Sequence, residues 1–376
     1  VNDYLNELKN LIMLHVQSQQ LDKSKCLSVI NRIQREEGNE QGSWTYEWMS
    51  LGNDYLHNNQ KLAAVQCYNF ARFPYVDANA RKRAYVKCVT VFTKWINEQR
   101  TTIERRTIYF EEEKIPIYVS GFDIQKRPLL IVIGGIVSIK EQWHKFLLDG
   151  PRLGLSVIVA ECPGVGENPL TYDHKSYRMI GALMDAFSDQ ADVDHTYFVG
   201  MSFGGALGIK YALEDSRICG ITTVGAPLKY FYIDSDWFRK VPDTTKKTLA
   251  HLCKVDQEDL FSTIQSFVID DGEAQKLTMP LHYIFSRQDE IIPLTEKQYL
   301  KNNVSQLELI EFDDVHGSPH HMGEIQKYIP LSIMRQHKGK FTFLKWVLRF
   351  LLTIETIKRR IRTFSIQGSE IIEKKR

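Results

Sequence analysis

Gly200, Ser202 and Gly204 form a Gly-x-Ser-x-Gly pentapeptide between an apolar run, Tyr197 to Val199, and a small-residue stretch, Gly205 to Leu213. The run reads as a buried strand and the stretch as a helix, which places the serine on a sharp strand-to-helix turn. Such a turn strains the serine backbone and lifts its hydroxyl above the C-terminal edge of a sheet, and it closes only where the flanking residues lack bulk. A serine hydroxyl is a poor nucleophile at neutral pH. It needs a base to take its proton and an acid to hold that base in place. On this kind of turn the partners follow in the order acid, then histidine, each just past a strand. Leu281 to Phe285 reads as a strand and runs into Ser286-Arg-Gln-Asp289-Glu290-Ile-Ile-Pro293. Leu307 to Phe312 reads as the next, and runs into Asp313-Asp-Val-His316-Gly-Ser-Pro319. Asp289 is preferred to Glu290 as the acid because it lies three to four residues past the strand, with an apolar pair and a proline beyond. His316 is preferred to His320 and His321 because it is nearer the strand end. Each residue alone reads equally well as a surface or packing group; three positions in the required order favour nucleophilic catalysis.

Attack on a carbonyl puts negative charge on oxygen, which needs backbone N–H groups already aimed at it. Phe203, directly after the serine, supplies one. The other is expected from the loop after Ile131-Val-Ile133, namely Gly134-Gly135-Ile136-Val137, with Ile136 the first choice. A glycine pair that merely turns the chain is the plainer reading of that loop.

The elements that must hold these groups are legible as changes of period. From Asn2 to about Gln99 the apolar residues recur at three-to-four spacing, as in Leu5, Leu8, Leu11 and Ile12, so residues 1–100 are expected to form an all-helical cap domain. After Arg100 the pattern alternates. Thr107 to Phe110 and Ile115 to Val119 read as a hairpin, and Pro128 to Ile133, Ser156 to Ala160, Cys219 to Val224 and the three strands above alternate with helical stretches. Strand alternating with helix implies a mostly parallel sheet covered on both faces, spanning residues 101–335. Within it, residues 225–279 lack a strong strand and are expected to form short helices lying over the site as a lid.

Composition narrows the function classes. The 376 residues carry a net charge of +2 with 25% charged side chains, which gives no basic surface for nucleic acid. Six cysteines, Cys26, Cys67, Cys88, Cys162, Cys219 and Cys253, are scattered without metal-ligand spacing. The expectation is a reduced, cytoplasmic protein with no structural zinc and no metal or organic cofactor. No uncharged apolar run reaches the roughly 18 residues of a membrane span.

Three stretches together resemble a family. Gly134-Gly-Ile-Val-Ser-Ile-Lys-Glu141, Glu161-Cys-Pro-Gly-Val-Gly-Glu167 and Asp194-His-Thr before the serine turn are similar to the α/β-hydrolases grouped with the fermentation-respiration switch protein FrsA. Gly42-Ser-Trp44-Thr-Tyr46-Glu47-Trp48 and Ala71-x-Phe73-Pro74-Tyr75 resemble that family's N-terminal helical domain. The family includes dihydroxypseudooxynicotine hydrolase and the hydrolases that shorten polyketide chains in melanin and anthraquinone pathways. The resemblance implies an α/β-hydrolase fold, hydrolysis of a carbon-carbon bond next to a ketone, and a polyketide-like or aryl β-diketone substrate. Some family members lack the serine or the histidine; this chain keeps both.

The alternatives are a carboxylesterase or thioesterase using the same triad, and a non-catalytic regulatory or binding protein. The resemblance covers roughly residues 40 to 330 and the family usually ends near Met334 here, whereas residues 336–376 are expected to form a basic amphipathic extension. Phe341 to Ile354 is apolar apart from Lys345 and Arg349, and Lys358, Arg359, Arg360 and Arg362 follow. Packing on its own domain or on a second subunit of a homodimer is the preferred expectation for it, and a membrane surface the alternative.

Overall fold

The apolar run before the serine is the fifth strand of an eight-stranded sheet in the computed structural model, which describes residues 3–123, 125–337 and 345–359. The strands are β1 (Ile103–Phe110), β2 (Glu113–Ser120), β3 (Pro128–Ile133), β4 (Ser156–Ala160), β5 (Asp192–Met201), β6 (Ile218–Val224), β7 (Leu281–Ser286) and β8 (Leu307–Phe312). Their order is β1-β2-β4-β3-β5-β6-β7-β8. β1 and β2 form an antiparallel hairpin, β2 meets β4 antiparallel, and the remaining pairs are parallel. β4 and β7 are buried along their whole lengths, which is why they are predominantly apolar rather than alternating, with Ser156, His282 and Ser286 as buried polar exceptions. Parallel pairing puts the C-terminal ends of β3, β5, β7 and β8 along one edge, so the four loops that carry the predicted site residues emerge side by side.

Five helices precede the sheet: α1 (Asp3–Ser18), α2 (Lys23–Arg32), α3 (Trp44–His57), α4 (Lys61–Arg72) and α5 (Asn79–Ile96). α1 buries Leu5, Leu8, Ile12 and Val16, one stripe at helical spacing. α3 locks onto α4 through buried polar bonds, with Trp44 Nε1 donating to the Phe70 carbonyl at 2.7 Å and Thr45 Oγ1 to that of Ala71 at 3.1 Å. α5 meets the sheet where the Phe92 ring stands edge-on to Tyr118 of β2, centroids 4.9 Å apart.

Crossover helices α6 (His144–Asp149), α7 (Met179–Asp185) and α8 (Phe203–Ala212) join the central strands. Between β6 and β7 lie α9 (Tyr230–Ile233), α10 (Ser235–Lys240), α11 (Asp243–Cys253), α12 (Gln257–Ile264) and α13 (Asp271–Ala274), and α14 (Leu294–Asn303) follows β7. Short helices fill this segment, as its sequence suggests. α9 and α13 have four residues each, too few to display a helical period in sequence. The N-cap of α11 is Pro242, whose side chain cannot cap, and Glu7 of α1 does that work from a distance: its carboxylate accepts from the amides of Asp243 and Thr244 and from the Thr244 hydroxyl. α9 is held at its base by Glu296 of α14, whose Oε1 accepts from the amides of Leu228, Lys229 and Phe231 at 3.3, 2.8 and 3.2 Å.

The chain divides into two compact units, Val1–Pro319 and His320–Arg376. The helices α1–α5, the sheet and the segment over residues 225–279 belong to the first. The second contains α15 (Met322–Gln336) and a further helix over residues 345–359, on which Trp346 and Phe350 are exposed and stacked with ring centroids 5.8 Å apart. Within that unit Arg359 Nε pairs with Glu324 at 3.1 Å and Lys327 with Glu355 at 3.5 Å. The rest of the predicted extension, residues 338–344 and 360–376, lies outside the described residues. Among the described residues all six cysteines are free thiols, and no helix is long and apolar enough to cross a membrane.

Candidate active site

Ser202 sits between β5 and α8 with φ 52° and ψ −124°, a backbone conformation that side-chain-bearing residues rarely adopt and that costs on the order of 1–3 kcal/mol. The neighbourhood enforces it. The Ser202 amide donates to the Val224 carbonyl of β6 at 2.8 Å, and the Ser202 carbonyl accepts from Gly205 at 2.8 Å. Both of the pentapeptide's glycines are demanded by close approach: a Cβ on Gly200 would stand 2.4 Å from Gly205 Cα, and one on Gly204 would stand 2.2 Å from the Gly134 carbonyl oxygen.

The loops after β7 and β8 bring both predicted partners to this serine. His316 Nε2 lies 2.9 Å from Ser202 Oγ, and His316 Nδ1 lies 2.8 Å from Asp289 Oδ2 and 3.0 Å from Oδ1. Because Nδ1 faces a carboxylate, the network assigns the proton to Nδ1 and leaves Nε2 to accept from the serine hydroxyl. Asp289 is itself fixed, since Oδ1 accepts from the amides of Ile291 and Ile292 at 2.8 Å each. Glu290, the competing acid, does something else: its Oε2 accepts the backbone amide of His316 at 3.0 Å. The buried Ser286 and Ser318 hydroxyls, 2.7 Å apart, tie the histidine loop to the end of β7. Burial pushes the His316 pKa down, but the charge and hydrogen bond of Asp289 and the charge of Glu290 outweigh it, so the net displacement is upward from 6.5.

The loop after β3 lies against the serine, since a Cβ on Gly135 would come 3.3 Å from Ser202 Cβ. Ser138 N donates to the Gly135 carbonyl at 3.0 Å, closing a turn whose central residues are Ile136 and Val137. Phe203 opens α8, so its amide is one of those a helix leaves without an internal acceptor. Cys162 Sγ donates to the Gly134 carbonyl at 3.1 Å, and Arg72 Nη2 donates to that of Val137. The Phe203 ring stands edge-on to Phe231 at 5.3 Å, joining the start of α8 to the segment over residues 225–279.

Two further groups near the site are not evident from sequence. His15 of α1 lies in the electrostatic reach of both Arg72 and His316, and burial together with those two charges pushes its pKa down to about 4, which keeps it neutral at neutral pH. Arg72 ends α4 inside the Ala71-x-Phe73-Pro74-Tyr75 stretch, where an arginine at a helix C-terminus reads as a solvated charge. Among the described residues no cluster of three or more His, Cys, Asp or Glu side chains is arranged to hold a metal ion.

Comparison with known proteins places this geometry in a family. Residues 128–268 match the alpha/beta hydrolase fold family. The chain is 22% identical to esterase FrsA of Vibrio parahaemolyticus over 291 residues, 69% of this chain and 68% of that one, and spans 56% of the length of a Yersinia pestis esterase FrsA. The structure of AbyA5 superimposes with a TM-score of 0.88 at 33% identity, covering 93% of this chain and 98% of AbyA5. This chain belongs to the FrsA-like α/β-hydrolases. The FrsA-like fold extends to 2,6-dihydroxy-pseudo-oxynicotine hydrolase, whose structure aligns with a TM-score of 0.68 at 18% identity over 90% of this chain and 94% of that one.

Proposed function

We propose that this FrsA-like hydrolase is a serine-dependent enzyme that cleaves a carbon-carbon bond next to a ketone, in a polyketide-like or aryl β-diketone, through an acyl-Ser202 intermediate. The observation that carries the serine mechanism is the continuous hydrogen-bonded path from Ser202 Oγ through His316 to the Asp289 carboxylate. His316 Nε2 takes the hydroxyl proton as Oγ attacks the ketone carbon. The resulting oxyanion is bound by the amides of Phe203 and Ile136. Collapse restores the carbonyl, breaks the carbon-carbon bond and expels the second fragment as an enolate, whose carbon takes the proton from the His316 imidazolium. Only a leaving carbon delocalised into a second carbonyl or a phenol ring is a feasible leaving group, which is why a β-diketone or acylated polyphenol is required. Water, deprotonated by His316, then releases the acyl group from Ser202. The residues over 225–279 act as a lid, and the helices of residues 1–100 as a cap.

The choice of carbon over oxygen as leaving atom follows from the family resemblance. An esterase reading uses the same groups, and it is favoured by the name of the curated relatives, esterase FrsA. Benzoylacetone and phenyl acetate separate the two. On the proposed reading benzoylacetone yields a carboxylic acid and a shortened ketone in equal amounts, and Ser202→Ala reduces turnover by about 10⁴-fold or more while the protein stays folded. Phenyl acetate turnover with inert benzoylacetone and other β-diketones replaces the carbon-carbon reading by the esterase one. Near-normal turnover in Ser202→Ala removes the serine mechanism altogether, and no turnover of either class by the intact chain favours a regulatory or binding protein.

A further inference from the structure

Arg72 is 1% exposed, and the four hydrogen bonds its guanidinium makes all go to neutral acceptors. Nε and Nη2 donate to Asn69 Oδ1 at 2.8 and 2.6 Å, Nη1 donates to the Pro74 carbonyl at 2.9 Å, and Nη2 also reaches the Val137 carbonyl. No carboxylate is among those hydrogen-bond partners, and burial outweighs the more distant charges of Glu161 and Glu141, so the guanidinium pKa is displaced downward and its burial is costly. A neutral side chain could fill the end of α4 at lower cost. What arginine adds is a rigid fork with one side fixed to its own helix end and the other to the turn beside Ser202. That turn runs from Gly135 to Ser138: the Val137 carbonyl shares its peptide plane with the Ser138 amide, which donates to the Gly135 carbonyl, and that carbonyl shares its own plane with the Ile136 amide, so holding Val137 restrains Ile136 through this bond. A hydrogen bond from a charged donor to a carbonyl is roughly twice as strong as a neutral one, which suits a clamp on a short, glycine-led loop.

We propose that Arg72 is a positioning residue of the oxyanion turn: clamped by Asn69 and Pro74, its guanidinium holds the Val137 carbonyl so that the Ile136 amide faces the oxygen of the carbonyl under attack. The helical segment thereby contributes to catalysis without touching substrate. The inference rests on the serine-hydrolase reading above.

Full-length wild type, Arg72→Lys, Asn69→Ala and Ser202→Ala are compared on p-nitrophenyl acetate, with reactive serines counted by fluorophosphonate titration and folding followed by thermal melting. Arg72→Lys keeps the charge but loses the fork. Its kcat per titrated serine is expected to fall about 10²-fold, the scale of a misplacement of about 1 Å at a reacting centre. KM is expected to stay within about threefold, since the donor acts in the transition state rather than in binding. Affinity for phenylboronic acid, whose tetrahedral serine adduct uses the same donors, falls in parallel. Asn69→Ala removes two of the four bonds without touching the turn and is expected to show the same pattern more weakly, which decides the matter if Arg72→Lys does not fold. A deficit that disappears per titrated serine, or that lies in KM alone, overturns the inference. Arg72→Lys and Asn69→Ala at wild-type kcat beside an inactive Ser202→Ala overturn it while leaving the serine mechanism intact. An active Ser202→Ala overturns the serine mechanism, and the inference with it.

Discussion

In the proposed mechanism His316 sets the pH dependence, because only its neutral form can accept the Ser202 proton. Burial alone would lower its pKa; Asp289 and Glu290 raise it beyond 6.5. The rate therefore falls as pH drops through a midpoint above 6.5, and a kcat/KM profile with p-nitrophenyl acetate should show its acid limb there. Asp289→Asn removes the charge and the correct tautomer together, so the limb should move down in pH and the rate should fall by about 10⁴-fold with the fold intact. A wild-type limb at or below 6.5, or one unmoved in Asp289→Asn, contradicts this assignment. Ser202, Asp289 and His316 were legible in sequence because a strand end announces each position and their order is prescribed by the fold. Glu290 and Asp289 are adjacent and chemically alike, so sequence could rank them but could not show that both are used, one on the imidazole ring and one on the backbone amide. Arg72 was illegible for a different reason: nothing in a helix-ending arginine tells whether it turns toward water or into a loop sixty-five positions away.

At the scale of elements, strands were read more faithfully than the short helices of residues 225–279. β3 and β4 have the limits their apolar runs suggest, because strands buried on both faces carry few polar residues to blur the ends. β5 starts earlier than its apolar core, at Asp192, since its first turns lie at the exposed end of the sheet and carry His195 without penalty. The segment over residues 225–279 gave a weaker signal because its short helices are fixed by distant partners. Glu7 on α11 is the clearest case. Glu7→Ala leaves the Asp243 and Thr244 amides without that acceptor and should lower stability by about 1 kcal/mol, in the range of a lost helix cap, measured as a shift of the urea midpoint at constant slope. An unchanged midpoint shows that water caps α11 as well as Glu7 does.

The first hundred residues are bound into the hydrolase unit by contacts of several kinds. Tyr85 Oη donates to the buried Glu161 at 3.2 Å, Phe92 packs on Tyr118, Glu7 caps α11 and Arg72 reaches the turn beside Ser202. Glu161 belongs to a buried cluster with Lys140, whose ammonium lies 3.2 Å from it and 2.8 Å from Glu167, so removing Tyr85 would open a charged network to water. Deleting residues 1–100 is therefore expected to abolish activity and expose apolar surface together, read as loss of p-nitrophenyl acetate turnover with increased binding of a hydrophobic dye. A truncated chain that stays soluble and fully active contradicts a catalytic role for the helical segment. Helix content, the change of period near Arg100 and the expectation of a cap were all readable in sequence, but the bonds that tie those helices to the turn beside Ser202 and to α11 were not, because side-chain-to-backbone bonds leave no pattern in residue spacing.

The covalent intermediate is the most direct test of the whole account. Wild-type protein mixed rapidly with p-nitrophenyl acetate, quenched in acid and digested should yield an acetylated peptide with the acetyl group on Ser202, and the corresponding peptide from Ser202→Ala should stay unmodified. Turnover with no acyl group on Ser202 at any time, or the same adduct elsewhere in the Ser202→Ala protein at the wild-type rate, would contradict it.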